Sequence, residues 1–275
     1  MDDETYVKEK YRAHFGVYPD LSNPVKFTEK IQWIKLNMRD PKMTVYCDKY
    51  LVKEHIKKVL GEEYVIPLHG VYDSPDQIDF DTLPERFVLK CNHNSGRGMY
   101  ICKDKSSLNV KKVRRDLRAA LKEDYYLVGR EWSYRDVPRK IVCEKYMEDS
   151  GGNLTDYKFY CNQGKATHLL VCLNRLSDNH RNIHMNMKGE ILPFNPDCVK
   201  AIEAGEKIKL PSNFDEMKAI AEKLSSEFPH VRIDLYNVDG KIYFGEYTFY
   251  SDSGFFTRIN GGDEYLGKDV ILPLT

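Results

Sequence analysis

Residues 230–249, HVRIDLYNVDGKIYFGEYTF, set charged and apolar side chains in alternation along two runs joined by Asp239-Gly240. An Asp-Gly pair between alternating runs is a strong local signal for a β-hairpin. Successive residues of a strand point to opposite faces, so Val231, Ile233 and Leu235 would bury one face while Arg232 and Asp234 share the other. Glu246, on the second arm, can then stand beside Asp234. Two carboxylates so placed repel each other, which raises the pKa of at least one. A divalent hard cation removes that penalty, and magnesium takes one or two carboxylates together with phosphate oxygens. Arg232 could meet charge developing on a reacting oxygen. The competing reading is a solvated charged face. The core-like residues around it, Tyr243 and Phe244 included, argue that the charges line something enclosed. On the repulsion argument, changing either carboxylate to its amide should leave ligand-free stability level or raise it.

Two further segments carry chemistry. FVLKCNHNSGRGM (87–99) reads as a strand ending in Lys90 and a glycine-containing loop. Lys90 offers a point charge, while loop amides around Ser95, Gly96 and Gly98 can face an anion. No Gly-Lys-Ser/Thr follows, so this is not a Walker A loop; a solvated hairpin turn is the alternative. KIVCEKYMEDSGG (140–152) reads as a strand leaving one subdomain for the next. Its backbone at Lys145 to Met147 could meet an adenine edge, and a carboxylate beyond it could take ribose hydroxyls.

The remaining pattern places these segments. Helical spacing covers 27–38, with Thr28 as a candidate N-cap, and 47–60, ended by Gly61. Strand, glycine loop, strand, helix (110–128) and strand follow one another through the middle of the chain, a small separate lid. Hairpins at 155–175 and 230–249 flank a helix at 214–227. Hairpins mixed with helices predict an α+β fold with mainly antiparallel sheets, divided into 1–85, 86–147 and 148–275. Lys plus Arg and Asp plus Glu are 42 each, which argues against a commitment to nucleic acid or an anionic membrane. The charged N-terminus lacks a signal-like apolar core, and no run reaches the ~18 apolar residues of a membrane span. The seven cysteines are scattered without a CxxC pair, the usage of free thiols in a reducing cytoplasm.

In this order the segments resemble the ATP-grasp superfamily, and the whole chain resembles its TupA-like branch. The narrower resemblance rests on NPVKFTEKIQWIKL, CDKYLVKEHI, LPERFVLKCNHNSGRGM, TDYKFYCNQGKA and RIDLYNVDGKIYFGEYTF. It implies two α+β subdomains clamping ATP, with a reduced N-terminal subdomain. It also implies that Lys49 reaches the nucleotide phosphates, that Lys90 contacts adenine and the α-phosphate, and that Ser95 to Gly98 close over the β- and γ-phosphates. Glu144, Lys145 and Met147 resemble the adenine linker, with Glu144 near the exocyclic amine. Asp156 and Lys158 resemble the ligand-facing strand of related amide ligases; Asp156 competes with Glu148 and Asp149 for the ribose. Arg232 resembles the arginine that stabilises a tetrahedral intermediate, and Asp234 and Glu246 the magnesium ligands. Thr248 stands where the family has a metal-binding Asn, and Ser251-Asp252-Ser253-Gly254 where it has Pro-Gly. The implied activity is ligation of a carboxylate to an amine through an acyl phosphate, with ATP and Mg2+. The resemblance points to bacterial cell-surface polysaccharide assembly, with a uronic acid within a glycan or nucleotide sugar as the carboxylate, amidated by an amino acid or amino alcohol. A phosphotransferase on the same fold, a glycosyltransferase of polysaccharide assembly and a non-catalytic nucleotide-binding module are the rivals. Asp234-Leu-Tyr and Asp252-Ser-Gly make poor DxD motifs for the second. His180, Arg181, His184 and Asn186 are candidates for reading an acidic glycan.

Overall fold

The computed structural model describes residues 1–175 and 179–273. Helices α1 (Asp3–Phe15), α2 (Phe27–Asn37), α3 (Pro41–Cys47) and α4 (Leu51–Val59) open the chain. Strands β1 (Leu68–Tyr72), β2 (Phe87–Cys91) and β3 (Met99–Cys102), helices α5 (Val110–Leu121) and α6 (Tyr126–Gly129) and strand β4 (Ile141–Lys145) come next. Then follow β5 (Asp156–Asn162), β6 (Lys165–Leu173), β7 (Arg181–Asn186), α7 (Pro196–Glu203), α8 (Phe214–Ser225), β8 (His230–Val238), β9 (Lys241–Thr248) and α9 (Gly262–Gly267). Both sheets are antiparallel, in the orders β1-β4-β2-β3 and β7-β6-β5-β8-β9. The α+β class with antiparallel sheets is therefore what the hairpin pattern predicted.

The chain divides into two compact units, and they differ from the three consecutive segments read from sequence order. One unit is Arg39–Met147; the other joins Met1–Met38 to the chain from Glu148 onward. Side-chain hydrogen bonds explain the assignment of α2. Thr28 donates to Asp263 at 2.7 Å, and Lys30 donates to the carbonyls of Gly267 and Val270 at 2.8 and 2.6 Å. Gln32 and Lys35 hold the carbonyl of Ser253 at 3.1 and 2.7 Å. Thr28 is thus a docking residue and not the expected cap. Lys26 stands at the N-cap, where its backbone N–H and that of Val25 donate to the Glu29 carboxylate. Likewise β1, which falls within the segment 1–85, pairs with β4 in the sheet of the Arg39–Met147 unit.

In the Arg39–Met147 unit, Val113, Leu117 and Ala120 of α5 pack on Phe87, Leu89, Ile141 and Cys143 of the sheet. The helix expected over 110–128 stops at Leu121, and the turn that follows lets the Glu123 carbonyl meet His93 Nε2 at 3.2 Å. The helix expected over 47–60 is broken, because the Asp48 carboxylate accepts from the backbone of Tyr50 and Leu51 and so starts α4 afresh. In the other unit α8 covers one face of the five-stranded sheet: Phe159 stacks on Phe214 at 5.6 Å, and Tyr247 Oη donates to the Leu224 carbonyl. All seven cysteines are buried free thiols, and among the described residues no helix is long and apolar enough to cross a membrane.

Candidate functional site

Each unit carries a cluster of charged side chains on one face of its sheet. In the Arg39–Met147 unit, β2 and β4 place Val88 opposite Glu144 and Lys90 opposite Val142. Lys90 and Glu144 are therefore diagonal neighbours on the face away from α5, and Lys90 Nζ donates to Glu144 Oε2 at 2.6 Å. Lys53, an inward residue of α4, takes the other carboxylate oxygen at 2.7 Å and the Ile66 carbonyl at 3.1 Å. Burial alone would raise the pKa of Glu144, but Lys90 and Lys53 outweigh it and hold the carboxyl at about 2. Glu144 thus orients Lys90 within its own unit.

Lys49 is fixed by its neighbours. Asp48 and Asn92 hydrogen-bond at 2.9 Å, Lys49 N–H donates to the Asn92 carbonyl, and Lys49 Nζ donates to the carbonyl of Asn94. The structure thus brings Lys49 to the mouth of the loop that holds exposed Ser95 and Gly96. Gly98, at φ +64°, closes this loop, its carbonyl accepting from Cys91 N–H. A Cβ there would lie 2.6 Å from Ala120 Cβ and Cys91 Sγ, so no other residue fits without displacement. Lys145 is exposed and Met147 buried at the end of this unit.

The second cluster lines the face of the five-stranded sheet away from α8. Register places Lys158 opposite Asp234, and Asp234 and Arg232 opposite Glu246 and Thr248. A bulge makes this possible. Between Asp234 and Leu235 the pairing skips Gly245, where a Cβ would lie 2.9 Å from the Asp234 carbonyl oxygen. The skipped residue turns Phe244 into the core beside Tyr247, at 5.3 Å between rings, while Glu246 still faces Asp234.

Charge alternates along this face. Arg175 and Lys158 both donate to Asp156 Oδ2, at 2.5 and 2.7 Å, and Lys158 also donates to Asp234. Arg232 grips Asp234 through Nε and Nη2 at 2.7 and 2.8 Å, and Nη2 reaches Thr248 Oγ1 at 3.0 Å. Burial would raise the pKa of Asp234, but Arg232 and Lys158 hold it at about 2. Burial would likewise strip Lys158 of its proton, but Asp156 and Asp234 keep the ammonium well above its usual range. The repulsion expected at Asp234 is thus answered by two cations already in contact with it.

The donor set still fits magnesium. Among the described residues no three His, Cys, Asp or Glu side chains gather as a metal cage, and magnesium does not need one, since it leans on one or two carboxylates and on phosphate oxygens. Asp234 Oδ1 accepts one hydrogen bond, from Arg232, and a carboxylate oxygen has room for a second partner. Thr248 presents a hydroxyl already held by Arg232. Asp156 is wholly buried between Lys158 and Arg175, and Asp149 caps its own turn by accepting from Gly151 and Asn153. Of the candidates for reading a glycan, Arg181 forks onto Glu206 at 2.7 and 2.8 Å. His184 is buried on His168 at 2.8 Å, and Asn186 accepts from Lys188 and Glu190. Those three are occupied in holding their own segment.

Lys53 and Arg175 are additions that sequence reasoning missed. Lys53 shares the inward stripe of α4 with Val52 and Ile56, a readable signal; Arg175 depends on strand pairing alone. A prediction follows for Glu144. Glu144→Gln takes from the Lys53 and Lys90 ammoniums the carboxylate they share, and the variant should unfold at clearly lower urea than the parent at pH 7. The folded pKa lies below the ordinary value of about 4.3, so the contribution of Glu144 is complete above that pH and is lost as pH falls towards 2. Its size is about 3 kcal/mol. Urea titrations of both proteins between pH 7 and 2 should converge at the acid end; parallel curves would sink the ion-pair account.

The fold is that of the ATP-grasp proteins. Within them, the chain belongs to the TupA-like ATP-grasp family, whose model matches residues 29–271. No curated protein matches it in sequence. Similar solved structures include D-alanine–D-alanine ligase from Bacillus anthracis complexed with ATP (17% identity, TM-score 0.42, 74% of this chain and 54% of that one). D-cycloserine synthetase DcsG is 14% identical with a TM-score of 0.46, over 88% of this chain and 76% of that one. N5-carboxyaminoimidazole synthase from Aspergillus clavatus, in complex with ADP and its ribonucleotide, is 11% identical with a TM-score of 0.44, over 90% and 58%. The chain spans little more than half the length of the first of these.

Proposed function

We propose that the protein is an ADP-forming carboxylate–amine ligase that uses Mg2+ and ATP. The observation that carries this reading is the face on which Arg232, Asp234, Lys158 and Asp156 alternate in charge with Glu246 in register beside Asp234. In this reading a carboxylate oxygen attacks the γ-phosphorus of ATP, the bond to the ADP oxygen breaks, and an acyl phosphate forms. The amine nitrogen then attacks the acyl carbon, phosphate departs, and the amine gives up its proton. Neither step needs a protein nucleophile. Lys49 and Lys90 offset phosphate charge, with the Ser95–Gly98 loop supplying amides, while Lys145 and Met147 belong to the adenine linker. Asp234 and Glu246, with Thr248 at the ion or its water, would hold magnesium, which would supply charge neutralisation on the phosphoryl oxygens. Lys158 and Arg232 meet the oxyanions that develop in turn. The assigned substrate is a uronic acid of a bacterial cell-surface polysaccharide, joined to an amino acid or amino alcohol in the cytoplasm.

Oxygen-labelled carboxylate should deliver one labelled atom to each released phosphate, ADP should be the nucleotide product, and hydroxylamine should trap a hydroxamate when the amine is omitted. AMP with pyrophosphate would mean adenylation. A nucleoside diphosphate released from a sugar donor without ATP use would establish a glycosyltransferase. In a separate test, Lys90→Ala should weaken ATP binding by roughly 2 to 4 kcal/mol, the loss for removing one member of a desolvated charge pair. Calorimetry that finds unchanged affinity in the folded variant would move the phosphates away from Lys90.

A further inference from the structure

Arg258 is built unlike the other buried cations of its unit. Its side chain is 1% exposed, and the nearest carboxylates, Asp252 and Asp263, stand at 3.5 and 3.6 Å. A charge-assisted hydrogen bond is shorter, ~2.7–2.9 Å. Asp263 is also spent elsewhere, accepting from Thr28 N–H at 3.2 Å and Thr28 Oγ1 at 2.7 Å, and burial pushes its carboxyl above the usual range. The guanidinium faces are covered by Phe27 and Phe256, 5.1 and 5.2 Å from Cζ to each ring. Nη1 donates to the Phe256 carbonyl at 3.5 Å; among the described residues Nε and Nη2 find no hydrogen-bond acceptor, the Asp252 carboxylate standing 3.5 Å from Nη2 outside hydrogen-bond geometry. Those two atoms form the edge that receives a carboxylate in a fork.

The neighbours repeat the pattern. Tyr160 and His230 pack on the same Phe27, at 5.8 and 5.1 Å between rings, and His168 packs on Tyr160 at 5.2 Å. Tyr160 Oη, His230 Nε2 and His168 Nδ1 are buried with no hydrogen-bond partner among the described residues. Buried polar atoms are nearly always satisfied, and a group of them around one ring calls for a polar occupant. Tyr160 also stands opposite Arg232 in the sheet register, which places this group next to the Arg232–Asp234 pair. Ahead of Arg258, Asp252, Ser253 and Gly254 all take left-handed conformations (φ 52°, 52° and 67°). Such a run is costly for the two non-glycine residues, and Lys35 and Gln32 of α2 hold it in place.

We propose that the Nε/Nη2 edge of Arg258 receives a carboxylate of a hydroxylated organic acid, with Tyr160 and His230 beside it and the carbon frame of the acid against Phe256. Phe256, 37% exposed, covers the outer face of the guanidinium and must swing outward for the acid to enter. The assignment deepens the ligase reading and rests on it for the use made of the acid. Arg232, gripped by Asp234, is left for the reacting oxygens.

The test is ligand-observed NMR with glucuronate, glucose and inorganic phosphate, with and without a non-hydrolysable ATP analogue and magnesium. Wild-type protein should bind glucuronate, glucose should not bind, and phosphate should not displace glucuronate. Arg258→Gln should raise the glucuronate Kd by at least about tenfold, and Arg258→Lys, which keeps the charge but not the fork, by nearly as much. Phe256→Ala, which leaves the guanidinium in place, should weaken glucuronate binding less than either. Unchanged glucuronate affinity in a folded Arg258 variant, displacement by phosphate, or no glucuronate binding to wild type in either condition would overturn the proposal. Arg258-dependent glucuronate binding without ADP formation from any amine would sink the ligase reading alone.

Discussion

Asp234→Asn should lose activity and fold stability together, and the second loss separates two accounts of the hairpin. Asp234 is 2% exposed and accepts two hydrogen bonds from Arg232 and one from Lys158. The amide keeps the volume but leaves two buried cations without their shared anion. Breaking a buried pair by neutralising one partner costs about 3 to 5 kcal/mol, because the remaining charge is stranded. Carboxylate repulsion, the argument available from sequence, predicts the opposite sign. Urea unfolding of ligand-free protein decides: a midpoint equal to or above that of the parent would restore the repulsion account. Glu246→Gln is the comparison. Glu246 is only half-buried, so its amide should reduce turnover by at least roughly 10²-fold if it serves magnesium while changing stability far less. The pH dependence has a definite sign. The folded pKa of Asp234, about 2, lies below the ordinary value of about 3.9, so its contribution is complete above that value and fades as pH falls towards 2. The stability gap between parent and Asp234→Asn should close over that window.

What the sequence made legible was local. Alternation and turn residues located β5, β6, β8 and β9 to within a residue or two, and with them the shared face of Arg232 and Asp234. Gly245 gave no such signal, because a bulge depends on which partner residue is skipped. Glu144 shows the same limit. It sits in an apolar strand next to Lys145, and its true partner Lys90 is 54 residues away, so its charge could be placed only by knowing the β2–β4 pairing. The docking of α2 on the C-terminal segments was invisible for a related reason. Thr28, Gln32 and Lys35 look like ordinary helix residues until Asp263 and Ser253 are brought to them from more than 200 positions away.

Arg232→Lys should separate transition-state stabilisation from architecture. In the structure Arg232 makes a two-point contact with Asp234 and a third to Thr248 Oγ1, so its guanidinium is oriented before any ligand arrives. A pre-oriented donor costs no reorganisation when charge develops on a reacting oxygen, and removing one such donor lowers turnover by roughly 10²–10³-fold, or about 2.7 to 4 kcal/mol. Lysine keeps the positive charge that Asp234 needs but cannot make the planar fork, so the fold should survive while orientation is lost. The expected pattern is a fall in kcat and in kcat/KM by the same large factor, with the Kd of ATP within about threefold of the parent, the signature of a contact made chiefly in the transition state. Arg232→Ala should show the same kinetic deficit together with a lower urea midpoint, since Asp234 then keeps only Lys158. A loss of ATP affinity as large as the loss of kcat, or near-normal turnover in Arg232→Lys, would assign Arg232 to holding the hairpin rather than to the chemistry.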